Sequence, residues 1–513
     1  MNSTYRFLFI SFSIACLAIS IRFFEVAFPI INLDIKFTRE QALQKAKLFH
    51  ATYLVPNVLD QIGALKIETN YSQTAIFVQD QRIQHFVELD GNGGNEQFLN
   101  LLMQQNITGY HPFTWKIRHF IENCTEEAEI VLDERGNLNG FDVYLPDDRH
   151  LINNTSGLEL EQMQNENFSL QIAIQTITSE PWNIKLSKQQ ESDIHYELVS
   201  STKSTKPNSG RVEWIFVFEC SELALGQSKL GKLRVTTSVS MSKVISLKRS
   251  VKVPDSFTKS YEEIKSYNKI VAFIASSAMF LVFGTMSVIS FWIIWRNYIC
   301  IVRWRRVVFS SMVMSFAAFF LLINLSPLQW MNYKTEISAR IFMSEIVMQS
   351  VASFFAMSAV TILLFTVVEY INRSRLIIDP STSFATRNLF DSVLRPSLDE
   401  LMIGYGSVPI MFAYEIAFYW VAVNYFSWWV PSALLFEPNV LAHYLPWFSS
   451  VFLSSQAAIL EECIFRAVPL GFALYVATKS KLRGLKQFAL VGLIFFIQSF
   501  VFSAAHANYP NQP

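Results

Sequence analysis

The sequence predicts a polytopic α-helical membrane bundle, with about six C-terminal spans plus one N-terminal anchor, carrying an external α+β domain. Three observations predict it. Of 513 residues, 51% are hydrophobic and 14% aromatic, including 45 Phe, more apolar than a soluble enzyme of this length needs. The apolar residues are unevenly spread: residues 32–268 read as water-soluble, and nearly everything after Ile270 reads as membrane. The loops between the apolar runs differ in their basic charge. Four regions follow: an anchor over 1–31, an external region over 32–268, spans and basic loops over 269–400, and a C-terminal core over 401–513.

The anchor is the run "FLFISFSIACLAISI", Phe7–Ile21, bounded by Arg6 and Arg22. Bulky residues follow it where a cleavage site would need small ones, so an uncleaved signal anchor is expected. In the external region "FTREQALQKAKLFHATYL" has a Thr cap and then apolar residues at helical spacing. The stretch "EEAEIVLDERGNLNGFDVYLP" alternates apolar and polar residues on both sides of a turn-forming "DERGNLNG", a hairpin signal. A second pair of strands, "RVEWIFVFEC" and "GKLRVTTSVSMSKVISLKRSVKVP", follows a polar, helix-compatible middle. Helix and then paired strands thus read twice, over 37–146 and 157–254, an order that resembles PepSY-type modules.

Six apolar segments come next: Ile270–Trp295, Val307–Leu325, Ile346–Val368, Leu401–Val430, Leu445–Thr478 and Gln487–Ala505. "RNYICIVRWRR" and "RSRLIIDPSTSFATRNLFDSVLRP" carry four Arg each, and the loop 479–486 carries Lys479, Lys481, Arg483 and Lys486. "SPLQWMNYKTEISAR" and "FEPNVLAHYLP" are poor in net positive charge. The positive-inside rule puts the three basic loops in the cytoplasm and residues 32–268 outside.

Lys+Arg and Asp+Glu are equal at 42 each, so no global basic field points to nucleic acid. The five cysteines, at 16, 124, 220, 300 and 463, form no C-x-x-C pair, which argues against a thiolate zinc site. Cys124 and Cys220, the two in the soluble part, are either a disulfide or two free thiols. Glu415 and His443 read as a cavity or pairing residue and an interfacial residue, and Cys463 as a small buried filler.

Charge inside a span is costly and points to function. In "SSQAAILEECIFRAVPLGFALYVATK", Glu462 and Arg466 stand at i and i+4, acid first, and neutralise each other. Glu461 projects about 100° away around the helix. With the turn of "KSKLRGLK" centred between residues 483 and 484, Glu461 and His506 are equally far from it along antiparallel helices, and so at matching depth. A carboxylate and an imidazole meeting there suit general-base activation of water or the start of a metal site. The same residues equally suit a polar knot that ties spans together.

"EECIFR" fits E-E-x-x-x-R, and "FSAAH", Phe502 to His506, fits F-x-x-x-H on the next span. On these motifs the chain resembles the CPBP intramembrane proteases, the group that includes the type II CAAX prenyl endopeptidases and the bacteriocin self-immunity proteins. The extension "HANYPNQP" and the large N-terminal region resemble a bacterial branch, which implies a multi-pass protein of the inner membrane. The likeness covers residues 400–513 and, more loosely, the whole chain. It implies an endopeptidase in which Glu461 activates the water, His506 binds water, metal or the oxyanion, and Glu462, Arg466 and Phe502 support them. It implies a membrane-embedded or prenylated peptide substrate, the lipid bilayer as partner, and either a zinc held by Glu461 and His506 or no metal. The family's third motif, a His followed four residues later by Asn or Asp on a further span, does not follow before Pro513. The alternative is a membrane scaffold or receptor that keeps a degenerate protease core.

Overall fold

The computed structural model describes residues 3–28, 37–59, 71–89, 111–145, 147, 164–186, 195–225, 231–296, 300–378, 397–426 and 438–507. The tryptophan pair of "FSWWVP", which reads as an aromatic belt at a membrane surface, lies outside these residues, as do most of the basic loop 373–396 and the extension after Ala507. The chain forms an antiparallel sheet domain and, among the described residues, six helices long and apolar enough to cross a membrane.

The sheet domain begins with α1 behind it in sequence (Ser3–Ala27) and α2 (Arg39–Phe49), which a π turn extends over His50–Leu59. Thr38 caps α2 and forms a capping box with Gln41, as the Thr signal predicts. Then come β1 (Ser72–Gln79), α3 (Gln81–Leu89), β2 (Phe113–Phe120), β3 (Glu127–Asp133) and β4 (Leu138–Tyr144). After them stand α4 (Glu166–Thr178), β5 (Tyr196–Thr205), β6 (Val212–Leu225), β7 (Gly231–Ser240) and β8 (Lys243–Lys252). Both predicted hairpins form. Asp133 accepts from the backbone of Arg135 and Asn137 in the first turn, and Gly136 supplies its left-handed residue at φ 83°. The second pairs β6 with β7, and the stretch expected as its single second strand is two strands, because Met241 and Ser242, both at positive φ, turn the chain between β7 and β8.

The two expected repeats lie in one sheet. Its eight strands run β1-β2-β3-β4-β8-β7-β6-β5, each half a four-strand meander, and the halves join where β4 pairs antiparallel with β8. β5 falls in the middle expected to be helix-compatible. Its Ser- and Thr-rich sequence is mostly exposed at the sheet edge, so no strong alternation marks it. One face carries the core, with Ile117, Ile130, Phe141, Phe216, Phe218 and Leu247 packed beneath α2 and α4. Ala42 and Ala46 on α2 are fully buried, small enough to let the helix lie close. Cys124 and Cys220 are both free and buried.

The core also holds histidines. His119 on β2 is fully buried, lies 4.9 Å from the His50 ring and 4.7 Å from the Tyr71 ring, and neither of its nitrogens has a hydrogen-bond partner. Burial pushes His50 down to about 4 and, with the neighbouring His50, His119 down to about 3. Burial and then Lys265 push His85 down to about 4. Unfolded histidine titrates near ~6.5, so below that pH the unfolded chain takes up protons that the folded chain refuses. The stability these groups contribute is complete above about 6.5 and is lost as pH falls toward 4 and 3. Thermal melts followed by far-ultraviolet circular dichroism should shift steadily downward between pH 7 and 4.5. His119→Leu should flatten that slope, and an unchanged slope would refute the assignment.

The other face of the sheet is polar, with cross-strand pairs Lys116–Glu129 at 3.6 Å, Arg118–Glu127, and Lys248–Asp142. One end of this face meets the bundle. Arg118 donates to the carbonyls of Trp330 and Met331, both at 3.1 Å, and the Asn123 amide donates to Thr335 O at 2.8 Å. Asn439 exchanges two hydrogen bonds with the Phe77 backbone, at 2.7 and 2.9 Å. His443, expected at an interface with lipid, is instead buried beside this second contact. Arg118→Ala removes a charged donor from two carbonyls and leaves Glu127 short of its partner, a loss on the order of 1.5–3 kcal/mol. Hydrogen exchange over residues 325–338 should quicken in that variant while the sheet strands keep their protection.

Beyond β8 the chain runs straight into α5 (Asp255–Trp295). It starts earlier than the predicted span because its charged first part packs on α3, where His85 Nδ1 lies 3.0 Å from the Tyr261 hydroxyl and Phe86 meets Phe257. α6 (Trp304–Asn324) and α7 (Ala339–Ile378) follow, closely packed through small residues, with the Ser358 hydroxyl 2.7 Å from that of Ser315. α7 also holds Glu369, buried and bonded by Arg303 at 2.9 Å, just past the predicted end of its span. α8 (Leu398–Phe426) lies parallel to α1: Arg6 pairs with Asp399 at 2.7 Å and Phe24 stacks on Phe412. Gly406 allows the approach, because a Cβ there would sit 2.5 Å from Phe9. The predicted span Leu445–Thr478 is divided into α9 (Pro446–Glu461), a π turn over Glu462–Ala467 and α10 (Val468–Lys479), and α11 (Leu485–Ala505) closes the described chain.

Candidate functional site

The π turn has a local cause. Pro469 has no amide hydrogen to donate and its ring crowds the carbonyl of Phe465, so the helix widens just ahead of it. Glu461 ends α9 and Glu462 opens the widened turn. α11 packs against α10, the π turn and α5, and this brings the end of α11 to the π turn.

There the Nε2 of His506 lies 3.7 Å from Oε1 of Glu461. Both are reachable, with 21% of the His506 and 37% of the Glu461 side chain exposed. The other ring nitrogen, Nδ1, lies 2.7 Å from the Phe502 carbonyl oxygen. A carbonyl only accepts, so Nδ1 carries the proton. That fixes the ring: Nε2 faces the carboxylate, either as a lone pair or as the second N–H of an imidazolium. At 3.7 Å the two groups are beyond hydrogen-bond length and within ion-pair range.

Aromatic rings hold the imidazole. Phe502 packs on His506 with centroids 4.4 Å apart, Phe465 meets Phe502 edge-on at 5.0 Å, and the Arg466 guanidinium lies 5.9 Å over the Phe502 ring. Phe465 has no signal in the sequence that would have found it, since only the turn of the helix places it there. Arg466 pairs with Glu462 at i and i+4, as the spacing predicts, and both side chains are about half exposed. The pair is therefore on the surface of the bundle, and Arg466 reaches the site only through the face of Phe502. Cys463, between the glutamates and the arginine, is fully buried in the bundle core with Val367 and Ile371. Glu415 is exposed on α8, the helix that packs along α1, and the structure does not bring it to Glu461.

Zinc can be tested on the donor set. Among the described residues no group of three His, Cys, Asp or Glu side chains is placed to hold a metal. Glu461 and His506 offer two donors where a catalytic zinc takes three from the protein, so the residues present do not fit that ion.

Compared with protein families, with curated proteins and with solved structures, the chain finds no match.

Proposed function

We propose that the chain is an intramembrane endopeptidase in which Glu461 activates the attacking water. The observation that carries this reading is the meeting of Glu461 and His506 at 3.7 Å from two different helices, with the imidazole held by the Phe502 carbonyl. Glu461 takes a proton from water as the water oxygen bonds to the peptide carbonyl carbon. When the carbon–nitrogen bond breaks, that proton passes to the departing amine. His506 orients the carboxylate and, when protonated, offers Nε2–H to the developing oxyanion. Substrate is an apolar peptide segment that reaches the site from within the bilayer.

Membrane placement has its own support. The loops after α6 and before α9, both poor in net positive charge, are the ones that touch the sheet. The loops bounded by Trp295 and Trp304, by Ile378 and Leu398, and by Lys479 and Leu485 carry the basic residues and leave the opposite ends of the same helices. The sheet domain then stands outside, the basic loops face the cytoplasm, and α1 and α8 both start from the cytoplasmic side.

The test is cleavage of a library of apolar peptides by the full chain in detergent, comparing wild type with Glu461→Gln. Cleavage that disappears in the variant supports the enzyme. No cleavage by either protein favours the scaffold or receptor reading.

A further inference from the structure

A second feature of the bundle lies away from Glu461. Between α5, α7 and α10 runs an apolar groove of about 500 Å³, a size that takes a small-molecule ligand. It begins beside Leu281 and Val468 and ends among Trp292, Tyr370 and Tyr475, and no acidic residue lines it. That aromatic end is the one nearest the basic loops. There the Lys479 ammonium stands 5.9 Å over the Tyr475 ring, and Arg296 follows Trp292 by one helical turn. Arg375 follows Ile371, a groove residue, by one turn on the same face of α7. Its side chain is more than nine-tenths buried, at 8% exposed, and its Nε has no hydrogen-bond partner. The nearby acid, Glu369, is already held by Arg303 and Arg373. A buried cation without a counter-charge is costly unless an anion completes it.

We propose that this groove seats an acyl chain of an anionic phospholipid from the surrounding bilayer, its phosphate bound by Arg375 and Lys479. Apolar length, aromatic residues at one end and cations just beyond them follow the order of a lipid from tail to headgroup. The buried guanidinium distinguishes this lipid from a zwitterionic one, whose own ammonium would stand among the same cations.

Native mass spectrometry of the full chain in detergent, offered equal phosphatidylglycerol and phosphatidylcholine, tests it. Phosphatidylglycerol should be retained in preference. Arg375→Gln and Lys479→Gln should each lower that preference about fivefold, and Arg375→Lys should keep most of it. Lys479 is exposed, so its variant tests the site without disturbing the bundle core. Thr285→Trp, which fills the groove, should lower retention of both lipids. Equal retention of the two lipids by wild type would overturn the proposal, as would retention of phosphatidylglycerol unchanged in the double Gln variant. So would a peptide, rather than either lipid, emptied from the groove by Thr285→Trp.

Discussion

Glu461→Gln should abolish peptide cleavage, with a loss on the order of 10²–10⁴ in rate, while leaving the fold intact. The substitution keeps the size of the side chain and removes only its ability to take a proton. Glu461 is more than a third exposed, so no buried charge pair is broken by the change. Glu462→Gln is the contrast that gives the experiment its force. The two carboxylates are adjacent in sequence, yet Glu462 is turned to Arg466 at i and i+4 and Glu461 to His506 on the next helix. An exposed pair of that kind contributes little stability, so Glu462→Gln should cost less than tenfold in activity. Initial rates on one cleaved peptide and a thermal melt of each variant measure both quantities. Equal losses from the two substitutions would mean that the adjacent acids share one structural role, and the base assignment would fail.

Gly140→Val should cost the sheet domain about 3 kcal/mol, the upper end of what overpacking a tight site brings. β4 and β8 are joined by the register Gly140↔Lys248, Phe141↔Leu247 and Asp142↔Ser246. A Cβ at 140 would fall 2.5 Å from the Leu247 carbonyl oxygen. That neighbour is backbone inside the ladder, so no rotamer change relieves the clash and the strands must part. Among the described residues the junction is the one place where a strand of one half pairs with a strand of the other. The melting temperature of the sheet should drop by roughly 6–12 °C, and amide exchange at β4 and β8 should rise before that at β1 or β5. A melt like that of wild type would show that the junction bears little of the domain's stability.

The apolar helices, the hairpin of β3 and β4 and the matching positions of Glu461 and His506 on neighbouring helices were legible in the sequence. These are local properties. A run of apolar residues has to satisfy its backbone internally in lipid, so it is helical whatever its neighbours. A turn such as "DERGNLNG" fixes its two strands without outside help. The fixed rise of a helix makes distance from a tight turn a measure of depth, and for that reason Glu461 and His506 could be paired from their positions alone. Other features were settled only by tertiary structure. No residue of β4 or β8 announces the partner that merges two meanders into one sheet, since a ladder is made of backbone groups that every residue carries. Arg118 reads as a strand residue, and its carbonyl partners lie more than two hundred positions away in a loop of the bundle. Phe465 joins the site only because Pro469 opens the helix into a π turn ahead of it. Each of these depends on how separate segments come together, and spacing along one chain does not record that.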